Sequence, residues 1–155
     1  MKHFGVFFVA LFVGNFVATA ATLEDEKSES NKFVEEMAKE SGATVLAGGV
    51  VIRPVYHSGS LRRARLSDKV KVSYHLADRN KNALEISYLS GDEIASFPLH
   101  KLIRCWQVAV PKIPFGSQYK VTCPAAMAYG DKGAGDGLIK PGAALVFWIT
   151  LFGVE

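Results

Sequence analysis

Cysteine is scarce in this sequence of 155 residues, which contains only Cys105 and Cys123. There is no Cys-x-x-Cys pair and no cluster of His and Cys at the spacing of zinc ligands, so the sequence predicts no metal site. Two cysteines are also too few for the disulfide framework of a small secreted scaffold. They can form a single disulfide or remain as two buried thiols, because both lie in apolar surroundings.

An excess of charge of one sign is also missing, since acidic and basic residues are mixed and the net charge is only +3. The densest basic cluster consists of the three arginines in residues 62–65, which lie in a Ser- and Gly-containing loop without interleaved aromatics. A solvated loop is therefore the favoured interpretation, and nucleic-acid binding is not predicted. The isolated histidines show no triad motif with Ser or Cys, which argues against hydrolase chemistry.

A long hydrophobic run occurs at the start of the sequence. Lys2 and His3 precede apolar residues 4–17, and the small residues Ala18 and Ala20 follow. This order is typical of a secretory signal peptide, and the run is short for a transmembrane helix. We expect residues 1–20 to be removed on export to the secretory pathway, the periplasm or the exterior, with no membrane partner afterwards. An uncleaved anchor is the alternative.

Residues 21–47 are predicted to form an acidic linker and a short helix. The Ser-rich stretch 22–30 is expected to be disordered at its start, and a helical pattern begins at Asn31, with Gly42 as its C-terminal stop. The narrow apolar face of this helix must dock on the domain or on a partner subunit. That face is formed by Phe33, Val34, Met37 and Ala38.

Residues 48–155 are predicted to form one α+β domain. Strand patterns occupy residues 50–56, 70–76, 84–89, 94–99, 118–122 and 144–151, and Pro54 indicates an edge position or a bulge in the first of them. Ile103, Trp106 and Val110 have near-helical spacing and predict a short helix. One short helix within a series of antiparallel strands predicts a curved sheet wrapped over that helix.

The most informative stretch is residues 126–151. Tyr129 opens a Gly-rich loop, Leu138 and Ile139 lie at its tip, and a turn at residues 140–142 leads into the last strand. Solvated loops rarely carry two large aliphatic side chains without a partner surface. We therefore expect this pair to overhang an apolar pocket.

This layout resembles that of the FKBP-type peptidyl-prolyl cis-trans isomerases, and the similarity runs from Gly48 to the C-terminus. The most similar branch is that of the secreted macrophage infectivity potentiator and FkpA-like proteins. The resemblance implies an enzyme that isomerises Xaa-Pro bonds in an apolar aromatic pocket without a cofactor, and thereby assists protein folding. It also implies Pro-containing polypeptides as clients, macrolides as candidate ligands, and a homodimer formed through the N-terminal extension as a candidate assembly.

The resemblance further implies the residues of the site. Trp106 would support the prolyl ring, the backbone N–H of Ile103 would bind a substrate carbonyl, and the Tyr129 hydroxyl would orient a neighbouring carbonyl. The catalytic residues so implied are Tyr74, Glu85, Phe97, Ile103, Trp106, Tyr129 and Phe147. The substrate-binding residues so implied are Leu84, Leu102, Leu138 and Ile139.

The sequence departs from the family pattern at three places. Leu84-Glu85 replaces Phe-Asp, His75-Leu76 replaces Thr-Gly, and Cys105 replaces the Gly before the tryptophan. Glu85 can make the hydrogen bond of the family's Asp to the tyrosine hydroxyl, but with a longer side chain. A weakened or non-catalytic immunophilin-like binding module is therefore the alternative function, and a partner surface around the N-terminal helix is a third.

Overall fold

The computed structural model describes residues 22–87 and 94–155. The predicted signal peptide and residues 88–89 of the strand predicted at 84–89 lie outside the described residues. Within them, no helix is long and apolar enough to cross a membrane.

Two helices and seven strands are present in the described part of the chain. The helices are α1 (Leu23–Ala38) and α2 (Arg104–Ala109). The strands are β1 (Thr44–Val45), β2 (Val51–Tyr56), β3 (Lys69–Asp78), β4 (Ala83–Ile86), β5 (Ala95–Pro98), β6 (Ser117–Cys123) and β7 (Leu145–Val154).

All strands pair antiparallel in one curved sheet of order β1-β2-β6-β7-β3-β4, with β5 also paired to β3. Helix α2 covers one face of this sheet and buries Cys105, Trp106 and Ala109 in the core. The register of β2 against β6 shifts between Pro54 and Tyr56, as a bulge at the proline predicts. The predicted α+β fold, a curved sheet over one short helix with an N-terminal helical extension, is confirmed.

Helix α1 begins eight residues earlier than predicted, and the expected disorder at the start of residues 22–30 is wrong. Thr22 forms a capping box, because its Oγ1 accepts from the Asp25 N–H at 3.1 Å while Asp25 accepts from the Thr22 N–H at 3.0 Å. Three acidic residues in the first turn stabilise the helix, because their negative charges lie at the positive end of the helix dipole. The acidic residues that suggested a linker thus form the first turn of α1.

Helix α1 docks on its own domain. Arg79 donates to both carboxylate oxygens of Glu26 at 3.0 and 3.1 Å, and Ser30 Oγ accepts from the Ala144 N–H at 2.9 Å. At the end of the helix, Glu40 binds Arg53 and Lys120. Of the two predicted docking partners, the helix therefore contacts the domain. These contacts do not test whether the protein also forms a dimer.

Candidate functional site

A cavity of about 150 Å³ lies between α2 and the sheet face that α2 covers. All seven residues predicted as catalytic line it, together with the predicted substrate-binding residue Leu102. Leu76, which sequence reasoning missed, completes the wall. The lining residues are Tyr74, Leu76, Glu85, Phe97, Leu102, Ile103, Trp106, Tyr129 and Phe147.

Trp106 forms the floor of the cavity and is 4% exposed. The rings of Tyr74 and Phe147 meet it edge-on, each with a centroid distance of 5.4 Å and an interplanar angle of 88°. Such edge-to-face contacts match the quadrupoles of the rings and fix their orientation. Strand alternation brings the two rings to this face, since β3 and β7 pair Leu76 with Phe147 and Tyr74 with Ile149.

The Tyr74 hydroxyl donates a hydrogen bond to Glu85 Oε1. Glu85 reaches the hydroxyl from β4, where it pairs with Leu76 of β3. Burial, followed by the hydrogen bond and charge of Glu85, raises the pKa of Tyr74. Burial and the Glu85 charge also raise the pKa of Tyr129. Both phenols are therefore held as neutral hydroxyls that can donate hydrogen bonds.

The predicted binding group of Ile103 lies at the N-cap of α2. Backbone N–H groups at the start of a helix have no partner within the helix and are free to bind other acceptors. Ile103 and Leu102 both line the cavity, so this backbone borders the space that a substrate would occupy. The geometry is compatible with the predicted contact to a substrate carbonyl.

The structure places the other three predicted binding residues away from the cavity lining. Leu84, Leu138 and Ile139 instead line a separate hollow of about 30 Å³ near α1. Ala134 and Ile139 exchange two backbone hydrogen bonds of 3.0 Å, which turns Ile139 inward to 7% exposure and leaves Leu138 53% exposed. The pair therefore does not line the cavity in this structure, and its contact with a substrate stays a prediction.

A disulfide joins Cys105 to Cys123, which decides between the two states left open for the cysteines. Cys105 directly precedes the cavity floor at Trp106, and Cys123 ends β6 shortly before the segment that carries Tyr129. Both cysteines are fully buried. The bond therefore links two segments that build the cavity, at a position where the family pattern has Gly.

The family described as FKBP-type peptidyl-prolyl cis-trans isomerase matches residues 61–152. The chain belongs to this family. The matched region contains every residue that lines the cavity. The resemblance to the branch containing the macrophage infectivity potentiator is confirmed by the following relatives.

The peptidyl-prolyl cis-trans isomerase Mip of Coxiella burnetii is 32% identical over 127 residues, which is 82% of this chain and 54% of that protein. The FKBP-type 22 kDa isomerase of Escherichia coli is 33% identical over 124 residues, covering 80% of this chain and 59% of the relative. The chain thus spans somewhat over half the length of these curated relatives.

Two solved structures share the fold. An isomerase from Pseudomonas syringae superposes with a TM-score of 0.80 at 26% identity and covers 88% of this chain and 98% of its own. The structure of FkpA from Escherichia coli gives a TM-score of 0.79 at 28% identity and covers 86% of this chain and 61% of its own.

Proposed function

We propose that this FKBP-type chain is a peptidyl-prolyl cis-trans isomerase that assists the folding of exported proteins. The observation that carries the proposal is the cavity itself, in which Trp106 is fixed by two edge-on rings and the Tyr74–Glu85 hydrogen bond is kept. Its clients would be polypeptides that contain Xaa-Pro bonds. The names of the relatives support isomerase chemistry, and macrolides remain candidate ligands by family resemblance.

The reaction requires no nucleophile and no proton transfer. Rotation about the prolyl bond is opposed by amide resonance, with a barrier of about 18–20 kcal/mol. A site accelerates rotation when it binds the twisted imide better than either planar form. Twisting returns charge from the carbonyl oxygen to the nitrogen, so the less dipolar twisted state is favoured in an apolar cavity.

The cavity residues supply this environment in distinct ways. The Trp106 floor would support the prolyl ring, and Phe97 and Phe147 would form walls that exclude water. The Ile103 N–H and the Tyr129 hydroxyl would each bind a carbonyl next to the twisting bond. The Tyr129 phenol is protonated over the physiological pH range, as an ordinary tyrosine is, and burial raises its pKa further, so that hydroxyl remains a donor.

Export is supported by two observations. Residues 1–20 have the pattern of a signal peptide, and disulfides such as Cys105–Cys123 persist mainly in oxidising compartments. We therefore place the protein in the secretory pathway, the periplasm or the exterior. The domain would comprise residues 48–155, and a homodimer through the N-terminal extension stays a prediction.

A non-catalytic binding module is the second candidate, because the family pattern is replaced at Leu84 and Glu85. The geometry weakens this alternative, since Leu84 lies outside the cavity lining and Glu85 still binds the Tyr74 hydroxyl. The comparison of wild type with Leu84→Phe/Glu85→Asp in a peptide isomerisation assay separates the two. A weakened enzyme is active and gains rate on restoration, whereas a binding module shows no turnover in either form.

A further inference from the structure

Although the charge of the whole chain is nearly balanced, two segments contain no acidic residue. Neither residues 41–67 nor residues 94–130 contain an Asp or Glu, whereas α1 and the two residues after it carry seven acidic side chains. Six cations of the acid-free segments are exposed, and we name them the basic face. The basic face consists of Arg62, Arg63, Arg65, Lys101, Arg104 and Lys112.

The segments that carry these six cations are adjacent in the fold. Arg63 pairs with Pro114 in an isolated antiparallel bridge, and its Nε donates to the Lys112 carbonyl at 3.4 Å. On the other side of the loop, Leu66 shares a hollow with His100, the residue before Lys101. The arginine loop thus lies between the segments that precede and follow α2.

The charges of the basic face are not neutralised within the described part of the chain. The ion pairs found there use six other cations, namely those of residues 27, 32, 53, 69, 79 and 120. Arg62 is held over the Phe115 ring at 5.1 Å. The acid next to the arginines, Asp68, accepts from the Arg65 backbone N–H at 2.7 Å.

The basic face borders the cavity. Lys101 and Arg104 are exposed, and between them in the sequence lie Leu102 and Ile103, which line the cavity. A polypeptide with its proline in the cavity and its chain leaving past α2 therefore passes these cations. Glu85, the acidic residue that lines the cavity, accepts a hydrogen bond from the Tyr74 hydroxyl.

We infer that the basic face binds acidic segments flanking the Xaa-Pro bond of unfolded clients, an inference that rests on the proposed function. Exposed charges of one sign attract oppositely charged ligands and raise their association rate. An anionic membrane is a weaker candidate. The basic face lies beside the cavity, and this position matters only for a ligand, such as a polypeptide, that occupies the cavity and the basic face together. Acid-flanked prolyl bonds are thus the preferred substrate class.

The test compares two short peptides that share one Leu-Pro bond, which is flanked by Glu in one peptide and by Gln in the other. At low salt the ratio of their kcat/KM values is expected to favour the Glu peptide by about three- to tenfold, as a few exposed charge contacts allow. The ratio should approach one near 1 M salt, where the Debye length is about 3 Å.

The variant Lys101→Gln/Arg104→Gln should lower this ratio. In a second pair of peptides with longer Glu or Gln flanks, Arg62→Gln/Arg63→Gln/Arg65→Gln should also lower the ratio of the two kcat/KM values. Lys32→Gln/Lys39→Gln is the matched control for the first variant, since it removes two exposed cations from the acidic helix side. A purely structural effect of a substitution lowers both kcat/KM values together and leaves their ratio unchanged. A wild-type ratio near one overturns the inference.

Two further outcomes are decisive. If neither peptide is isomerised, the proposed catalysis fails, and binding of the same labelled peptides decides the inference instead. Tighter binding of the Glu peptide that is lost in Lys101→Gln/Arg104→Gln supports it, and equal affinities overturn it. A ratio near one together with salt-sensitive sedimentation on phosphatidylglycerol vesicles would assign the basic face to membranes and also overturn it.

Discussion

At the scale of single residues, Glu85 decides how the cavity wall is held. The family pattern places an Asp at this position, and the longer Glu side chain still accepts a hydrogen bond from the Tyr74 hydroxyl. This is possible because Glu85 is paired with Leu76, two residues along β3 from Tyr74. The replacement therefore changes the side chain that makes the contact and retains the contact.

Removal of this carboxylate is expected to reduce activity more than stability. In Glu85→Ala the Tyr74 hydroxyl loses its acceptor and the ring is free to reorient, so we expect kcat/KM to fall about 10- to 100-fold, equivalent to about 1.4–2.8 kcal/mol. The exposed position of Glu85 predicts a small change in melting temperature. A peptide isomerisation assay beside thermal unfolding measures both. Glu35→Ala on the exposed side of α1 is the control, and equal activities of the two variants would contradict the assignment.

The tyrosine hydroxyls predict a loss of stability in alkali. The folded state raises the pKa of Tyr74 and Tyr129 above the unfolded value of about 10, so it binds more protons than the unfolded state above that pH. This contribution is fully present below pH of about 10 and is lost as the pH rises further. Urea unfolding between neutral and strongly alkaline pH should show this fall, with a shallower slope in Tyr74→Phe. Equal slopes would contradict it.

At the scale of elements, the helices and strands could be predicted from the sequence where a regular pattern of apolar residues determines which way the side chains point. The strand patterns at residues 70–76 and 144–151 correspond to β3 and β7, and the spacing of Ile103, Trp106 and Val110 correctly indicated a short helix over the sheet. The observed strand ends differ from the predicted ones by a few residues, because hydrogen bonding between strands determines where pairing stops and the local sequence pattern does not. Leu76 was missed because alternation places it in the core without showing that a cavity opens there.

Other features could not be predicted because they depend on contacts distant in sequence. The inward turn of Ile139 follows from its bridge to Ala134, and Leu84 packs near Ile139 in the hollow by α1. The start of α1 was predictable in principle, since Thr22 and Asp25 have the spacing of a capping box. Its docking partner was not, because Arg79 lies 53 residues from Glu26.

The docking of α1 predicts a measurable contribution from one buried hydroxyl. Ser30 is 2% exposed and accepts from the N–H of Ala144, the residue before β7. Ser30→Ala leaves that buried N–H without its acceptor, so the free energy of unfolding should fall by about 1–3 kcal/mol. Ser28→Ala on the exposed side of the same helix should change it by less than about 0.5 kcal/mol. Urea unfolding measures both, and equal effects would show that α1 does not dock in this way.

At the scale of the whole molecule, the disulfide and the helix together stabilise a small domain around its cavity. Cys105–Cys123 links α2 to the end of β6, and α1 contacts Ala144, the residue before β7. Gly142 reflects this close packing, since its φ is +77° and an added Cβ would meet Lys27 and Leu23 at 2.8 and 3.0 Å. Segments that line the cavity are thereby held from two sides.

Reduction of the disulfide should destabilise the molecule. The two cysteines are 18 residues apart, and closing a loop of this length is worth about 3 kcal/mol in the chain-entropy estimate. We expect dithiothreitol to lower the urea midpoint of the wild type. The Cys105→Ala/Cys123→Ala variant, as the control, should have a low midpoint that the reductant does not change. A wild-type midpoint that is insensitive to complete reduction would show that the bond contributes little.

We propose that the cavity above Trp106 catalyses prolyl isomerisation. Its most direct test is the isomerisation rate of a neutral Xaa-Pro peptide with wild type, Trp106→Leu and Trp148→Leu. Trp148 is the matched control, because it lies on the opposite face of the sheet and stacks on His75 at 5.2 Å. We predict catalysis by wild type and Trp148→Leu, and its loss in a folded Trp106→Leu protein. Uncatalysed relaxation, over about 10–100 s, in the presence of folded wild type would contradict catalysis by this cavity.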